Sequence, residues 1–379
     1  MKPIYLDYNA TTPIAPEVAD VMRPLLEENF GNPSSSHCYG VEAGRLVDNA
    51  RADVARLLGC SPNEIVFTSG GSESNNMAIK GVVWKHGSRG SHIITTAIEH
   101  PAVFEVCYHL EKQGYTITRL SVDVSGEIDP EEFRRSIRQD TILATIMLAN
   151  NETGVIQPIE EVAAIAREAG ILFHTDAAQA IGKIPVDVER LGVDMLSLAG
   201  HKLYAPKGIG VLYVRSGVEL VRLIHGADHE QNRRAGTENT LQIAGLGEAC
   251  RLAAATIDEE VAHQSALRDR LQEKLIESLP HASVNGHIKN RLPNTLSIAI
   301  PGIVAEELLK EISPEVAASA GAACHTGGVE ISKVLKEMKI PLENAVGTLR
   351  LSTGRYTTPA EVDRAAEIII AVAVKALMD

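Results

Sequence analysis

The chain has 379 residues with a formal net charge of −13, and 45% of the residues are hydrophobic while 22% are charged. This balance is typical of a folded globular protein, and the length predicts one large and one smaller domain, because single cores rarely grow beyond about 250–300 residues. The acidic surplus and the lack of any Lys/Arg-rich block argue against a nucleic-acid partner.

Apolar runs and cysteines exclude further classes of protein. The apolar run at residues 368–374 stops at Lys375 and is far shorter than the roughly 20 residues of a membrane-spanning helix. The first residues lack the apolar core of a signal peptide, so we expect a cytoplasmic protein. The cysteines, odd in number, widely spaced and without a Cys-x-x-Cys pair, are Cys38, Cys60, Cys107, Cys250 and Cys324. We therefore expect neither a disulfide framework nor a zinc site.

The first two thirds of the chain predict alternating helices and strands. A helix at residues 16–28 lies among turns, and a second at 41–58 ends at Gly59. The predicted strands are 64–68, 92–97, 116–120, 143–149, 172–175, 195–198 and 210–214, and helices at 102–113, 130–137 and 159–169 lie between them. Short strands that are apolar throughout and separated by helices indicate an α/β fold with a mainly parallel sheet. Ligands of such sheets bind at the carboxyl ends of the strands.

The pattern changes after Gly247, where a long helix begins with leucines at a spacing of four at its apolar face, namely Leu267, Leu271, Leu275 and Leu279. A strand at 295–300, a helix at 305–311 and a closing helix at 360–378 suit a smaller α+β domain. We expect a large domain of residues 15–255, and a small domain of residues 1–14 and 256–379 that carries Cys324 and Arg350.

Three segments of the large domain carry candidate chemistry. Lys202 follows an apolar run that ends in Ala-Gly, and Asp176 ends another such run. A lysine that can form a Schiff base and an acid that keeps a pyridinium nitrogen protonated are what a pyridoxal phosphate site requires. The segment Ser-Gly-Gly-Ser-Glu-Ser-Asn-Asn at residues 69–76 opens a helix after a strand and can seat a phosphate. Alone it is more often a plain turn, but with Lys202 and Asp176 the phosphate site is the better interpretation.

Other polar residues leave two interpretations open. His100 lies between a strand and a helix, where it either stacks on a ligand ring or packs at the helix start. Asn151 follows a strand and suits a ligand bond or a turn. Arg350 alternates with Leu349 and Leu351, so it either pairs with an internal carboxylate or holds that of a substrate.

The cysteines also divide into two kinds. Cys324 lies in a small-residue segment, 319–328, that we expect to form an exposed loop, where the thiol can react and His325 can assist its ionisation. Cys60, Cys107 and Cys250 fit the usual role of a cysteine as a small buried hydrophobe.

Ordered motifs along nearly the whole chain identify a family. They are Leu-Asp-Tyr-Asn-Ala-Thr-Thr-Pro at residues 6–13, the segment 69–76, Asn-Asn-Glu-Thr-Gly at 150–154, Gly-His-Lys at 200–202 and Ala-Gly-Thr-Glu-Asn-Thr at 235–240. With them the chain resembles the class V branch of fold-type I pyridoxal phosphate enzymes, and within it the cysteine desulfurase and selenocysteine lyase family. The resemblance implies the fold-type I architecture.

The resemblance also implies a cofactor site. Lys202 would be the Schiff-base lysine, Asp176 would bind the pyridinium nitrogen, and His100 would stack on the ring. The other implied cofactor ligands are Gln179 and Asn151 near the ring hydroxyl, and Gly71, Ser72 and His201 at the phosphate, with Thr237 reaching in from the second subunit of a homodimer.

The implied activity is the conversion of L-cysteine to L-alanine. Arg350 and Asn9 would bind the substrate, and Cys324 would take its sulfur as a persulfide for an acceptor or iron–sulfur scaffold protein. Two departures from the commonest desulfurases are Ala199, where many have serine, and Ser72, where threonine is frequent. The surroundings of Cys324 are similar to those of selenocysteine lyases, so release of selenium from L-selenocysteine remains an alternative. A cofactor-binding scaffold that recruits acceptor proteins and an aminotransferase are further alternatives.

Overall fold

The strands and helices follow the sequence pattern closely. In the computed structural model the backbone is described for residues 2–325 and 328–378, and the side chains for the same residues except 322–330. The strands are β1 (Ile4–Tyr5), β2 (Ile65–Thr68), β3 (His92–Thr96), β4 (Thr116–Leu120), β5 (Thr141–Thr145), β6 (Leu172–Asp176), β7 (Met195–Ala199), β8 (Gly210–Val214), β9 (Ser283–Val284), β10 (Thr295–Ala299), β11 (Val316–Ala317), β12 (Ser319–Ala320), β13 (Ala322–His325), β14 (Gly328–Ile331) and β15 (Thr348–Ser352).

The helices alternate with the strands through the first two thirds of the chain. They are α1 (Pro16–Glu27), α2 (Cys38–Leu58), α3 (Gly71–His86), α4 (Pro101–Lys112), α5 (Pro130–Ser136), α6 (Ile159–Glu168), α7 (Val188–Leu191), α8 (Thr240–Ser278), α9 (Ala305–Ile312), α10 (Lys333–Glu337), α11 (Leu342–Val346) and α12 (Pro359–Met378). Within these described residues, no helix is both long and apolar enough to cross a membrane.

A seven-stranded sheet forms the larger core, with the order β2-β8-β7-β6-β5-β3-β4. Neighbouring strands from β7 through β4 are parallel, whereas β8 is antiparallel to both of its neighbours. Every residue of β3, β5, β7 and β8 is buried, which is why these strands are continuously apolar or small rather than alternating. The predicted α/β class with a mainly parallel sheet is confirmed.

A second, antiparallel sheet has the order β12-β15-β10-β9. Its core contains Leu296 and Ile298 of β10, Leu349 and Leu351 of β15, and Leu271 of α8. Two small strand pairs accompany it, parallel β1–β11 and the antiparallel hairpin β13–β14. The predicted loop at 319–328 is wrong for its described backbone, because residues 319–320, 322–325 and 328–331 lie in strands β12, β13 and β14.

Helix α8 begins earlier than the sequence predicts. It starts at Thr240 after the cap Asn239, and Gly247 lies inside it instead of before it. A Cβ on Gly247 would lie 2.6 Å from the Cα of Ala50, so this glycine lets α8 pack closely on α2 and does not break the helix. Residues of the first part of α8 pack in the large core and Leu267 onwards in the small one. We retain the division near residue 255 as a proposal.

Candidate active site

A pocket of about 330 Å³ opens at the carboxyl ends of β5, β6 and β7, beside the first turns of α3 and α4. This is the edge at which parallel sheets bind ligands, and the volume suits a small molecule. The predicted cofactor residues in its wall are Gly71, Ser72, His100, Asn151, Asp176, Gln179, His201 and Lys202. The structure therefore brings together side chains that are spread over more than a third of the sequence.

Lys202 presents the reactive amine. It follows β7 in a short helical turn, and its Nζ donates to the backbone oxygens of Asn9 at 2.5 Å and Ala10 at 2.7 Å. Burial, and then the Arg350 guanidinium, lowers the pKa of Lys202 to about 8, against the opposite effect of nearby carboxylates. An amine with this pKa is about one-fifth neutral near pH 7.4, and the neutral form is the one that attacks an aldehyde.

Asp176 ends β6 as a fixed acceptor. Its Oδ2 accepts from the Asn75 side-chain amide at 2.7 Å, and its Oδ1 accepts from the backbone N–H of Ala178 at 2.9 Å. The carboxyl is only 7% exposed, so an aromatic N–H⁺ at this depth would find a desolvated, oriented carboxylate. Sequence reasoning did not single out Asn75, although it belongs to the segment quoted at 69–76.

The other end of the pocket suits a phosphate group. Helix α3 starts at Gly71, and within the described residues no side chain caps its first turn, which leaves backbone N–H groups for an anion. A Cβ on Gly71 would lie 3.3 Å from the Cβ of Ala199, so the lack of a side chain at Gly71 leaves room at this end of the pocket. Burial, with smaller effects of Lys202 and Lys207, lowers the pKa of His201 to about 4, so its ring is neutral at physiological pH.

His100 satisfies both sequence interpretations. Its Nδ1 accepts from the backbone N–H of Ala102 at 3.1 Å, so it caps α4, and the same ring lines the pocket. Burial of the ring lowers the pKa of His100, with Lys202 acting in the same direction and Asp176 against it. The neutral ring then carries its proton on Nε2, where it can donate.

Arg350 lies on β15 between the buried residues Leu349 and Leu351, as the alternation predicts. Its Nη2 donates to Asp7 Oδ1 at 2.9 Å and to the Ser319 hydroxyl at 3.0 Å. In this structure the arginine thus holds an internal carboxylate, and its role toward a substrate stays a prediction.

Asn9 lies behind the pocket wall and is 1% exposed. Its side-chain Nδ2 donates to Asn151 O and Thr295 Oγ1, and its Oδ1 accepts from Lys183 and Asn294. Its polar atoms are engaged within the chain, and substrate binding by Asn9 remains untested.

Thr237 does not line the pocket, and the role of Cys324 stays a prediction. Thr237 is exposed in a separate cleft with Arg234 and Glu238, and its predicted entry from a second subunit is not tested by one chain. The backbone of Cys324 pairs with that of Val329 in the hairpin, but its side chain lies outside the described residues.

The remaining cysteines differ in exposure. Cys107 and Cys250 are buried as expected, Cys60 is partly buried, and Cys38 is exposed at the start of α2. Burial raises the pKa of Cys60 and of Cys107 to about 12, so neither thiol ionises near pH 7.

Glu99, next to His100, is a second buried acid that the sequence analysis missed. Its Oε1 accepts from the Thr96 hydroxyl at 2.8 Å and from the Met147 backbone N–H at 2.9 Å. Burial raises the pKa of Glu99 to about 8. The Glu99 side chain joins the ends of β3 and β5. The position of a charged residue shortly after a buried strand is the sequence feature that could have marked Glu99 as a candidate.

The depressed pKa of Lys202 predicts how cofactor uptake depends on pH. At pH 8 an amine with a pKa of about 8 is half neutral, whereas a lysine of ordinary pKa would be about 0.4% neutral. The rate at which cofactor-free protein takes up pyridoxal phosphate, followed by visible absorbance, should rise about tenfold per pH unit below 8 and level off above. A rate that climbs steadily to pH 10 would contradict a depressed pKa.

Comparison with known proteins shows the family of this chain. The family described as aminotransferase class-V matches residues 4–365. The chain belongs to the class V aminotransferase family. It is 45% identical over 367 residues to a cysteine desulfurase IscS of Dictyoglomus turgidum, covering 97% of this chain and 93% of that one. It is 47% identical over 369 residues to a cysteine desulfurase IscS of Methanosarcina thermophila, covering 97% and 91%.

Solved structures of the family share the fold over the whole chain. A NifS-like protein superposes with a TM-score of 0.93 at 37% identity, covering 99% of this chain and 100% of that one. A structure described as SspA in complex with cysteine has a TM-score of 0.81 at 38% identity, covering 94% and 100%. The predicted resemblance and the fold-type I class are confirmed, and the family depends on pyridoxal phosphate.

Proposed function

We propose that this chain is a pyridoxal phosphate-dependent cysteine desulfurase that converts L-cysteine to L-alanine and transfers the sulfur to Cys324. The observation that carries the proposal is the convergence of Lys202, Asp176 and His100 on one pocket. It occurs in a chain 45–47% identical to cysteine desulfurases over 97% of its length.

The residues present fit the cofactor. The uncapped start of α3 with Gly71 and Ser72 would hold the phosphate, Asp176 the ring nitrogen, and Lys202 the aldehyde carbon. When bound, pyridoxal phosphate supplies a protonated ring that accepts the electron pair released at the substrate Cα.

The chain's own groups then divide the remaining work. Arg350 pairs with the substrate carboxylate and so orients the amino acid. The Lys202 amine, whose lowered pKa makes its neutral form accessible, takes the Cα proton, and the Nε2–H of His100 is available to donate a hydrogen bond to a ligand in the pocket. The Cys324 thiolate attacks the substrate sulfur, forming an S–S bond as the Cβ–S bond breaks. The electron pair of the broken bond goes to Cβ, which takes a proton to become the methyl group, and Lys202 returns its proton to Cα to complete alanine.

Further parts of the proposal concern assembly and destination. We place the enzyme in the cytoplasm as a homodimer in which exposed Thr237 completes the partner's phosphate site. Relatives named IscS support sulfur delivery to an acceptor such as an iron–sulfur scaffold protein.

The deciding experiment measures alanine formed by the cofactor-loaded protein from L-cysteine and L-selenocysteine side by side under reducing conditions. Turnover of L-cysteine that requires Cys324 supports the desulfurase. Strong preference for L-selenocysteine would instead make the enzyme a selenocysteine lyase. Turnover of neither would favour a scaffold, and amino transfer to a keto acid would identify an aminotransferase.

Replacing Arg350 by lysine tests the substrate clamp. Lysine keeps the charge but cannot make the bidentate bond, so KM for L-cysteine should rise about 10- to 100-fold while cofactor affinity stays constant. Cysteamine, which lacks the carboxylate, is the matched control, and its binding, read from the cofactor spectrum, should not change. If the variant bound L-cysteine and cysteamine equally more weakly than the wild type, Arg350 would have a structural role with Asp7 instead.

A further inference from the structure

Lys183 is a buried lysine that the mechanism above does not use. It is 5% exposed, and its Nζ donates to Gln179 Oε1 at 2.7 Å and to Asn9 Oδ1 at 2.9 Å. In the described part of the chain it forms no ion pair with a carboxylate. A buried amine without a charge partner is costly, which points to a role for its hydrogen bonds.

The two amides that contact Lys183 both turn their oxygens toward it. Each NH2 group donates to a backbone oxygen, that of Asn9 for Gln179 and that of Asn151 for Asn9, so both amide oxygens face the N–H donors of Lys183. The Gln179 NH2 group therefore lies on the other side. One of its hydrogens goes to the Asn9 backbone oxygen at 2.9 Å, and Gln179 is part of the pocket wall. The second hydrogen is left for a ligand.

The same contacts reach the reactive lysine. The Asn9 backbone oxygen that accepts from Gln179 also accepts from Lys202 Nζ at 2.5 Å. Asn9 is in turn held by Lys183 and Asn294 through its Oδ1. Lys183 thus stands behind two groups that face the cofactor, the amide of Gln179 and the amine of Lys202.

The surroundings favour the neutral form of Lys183. Burial, and then the charges of Lys202 and Arg350, holds the pKa of Lys183 well below its usual range. A neutral amine has two N–H donors, and two acceptors are present, whereas an ammonium group would bring a third donor.

We propose that Lys183 is a positioning residue of the cofactor site, which holds the Gln179 amide with its NH2 group toward the pocket. The inference rests on the proposed function, since it takes the ligand to be pyridoxal phosphate. In chemical terms, the NH2 group of Gln179 would donate a hydrogen bond to an acceptor oxygen on the cofactor.

A double-mutant cycle tests this role through the dissociation constant for pyridoxal phosphate added to cofactor-free protein. The proteins are wild type, Lys183→Met, Gln179→Ala and the double variant. Loss of one oriented hydrogen bond should weaken binding about tenfold in each single variant. The double variant should be within about twofold of Gln179→Ala, because Lys183 acts through Gln179. Additive losses in the double variant would overturn the proposal.

Gln179→Glu provides a second test should Lys183→Met fail to fold. It keeps an acceptor for Lys183 but removes the NH2 donor, so cofactor binding should weaken as in Gln179→Ala, and native affinity would refute the assigned orientation. Lys310→Met, at an exposed position of α9, should leave affinity unchanged. Wild-type cofactor binding and alanine formation are measured first, so a failure of the proposed function is distinguished from a failure of the Lys183 role.

Discussion

The Lys202→Ala variant should lack the visible absorbance that covalent attachment of the cofactor to Lys202 produces, and it should turn over L-cysteine at least about 10⁴-fold more slowly. Two functions are lost together, the covalent attachment of the cofactor and the base that takes the Cα proton. The other residues in the wall, including Asp176 and His100, keep their contacts, so weak noncovalent binding of the cofactor should remain.

Lys207→Ala is the matched control, because Lys207 follows Lys202 in the same segment but is exposed. Its spectrum and rate should equal those of the wild type. Methylamine added to Lys202→Ala should restore part of the turnover, since the deletion leaves space for a small amine. An unchanged spectrum in Lys202→Ala would remove Lys202 from its assigned role.

The parts of the fold that the sequence predicts are those determined locally. Strands β3 and β5 to β8 are mostly apolar or small in sequence because both faces of the sheet are covered there. Asp176 is at the end of one such strand, and Lys202 follows shortly after another. Parallel strands bring their carboxyl ends to one edge, so residues far apart in sequence were expected together. This reasoning requires no knowledge of individual contacts.

The parts that were missed depend on contacts between distant segments. Gly247 looks like a helix boundary until its packing on Ala50 is known. The burial of Lys183 and Glu99 cannot be read from residue type, because charged residues are normally exposed and only their buried partners make them functional candidates. Asn75 likewise becomes a candidate site residue only through its hydrogen bond to Asp176, which follows about 100 residues later in the sequence.

The hairpin that carries Cys324 is attached beside the pocket, and this attachment is the structural basis for the expected effect of replacing Cys324. At its base Gly321 donates to Thr348 O at 2.8 Å, Ser332 donates to Gly321 O at 2.9 Å, and the Ser332 hydroxyl also donates to Glu152. Glu152 follows Asn151 of the pocket wall. At about 3.3 Å per residue, the backbone of Cys324 is about 10 Å along the strand from Gly321.

Cys324→Ala should reduce sulfide and alanine formation from L-cysteine at least about 100-fold, because none of the four cysteines with described side chains lines the pocket. The spectral change on adding L-cysteine should persist, since Lys202 and Arg350 are untouched and the substrate still binds. Cys38→Ala removes another exposed thiol and should leave both readouts native. Full activity of Cys324→Ala would exclude the persulfide step. Retained turnover of L-selenocysteine alone would show that the thiol is needed for sulfur but not for the more easily released selenium.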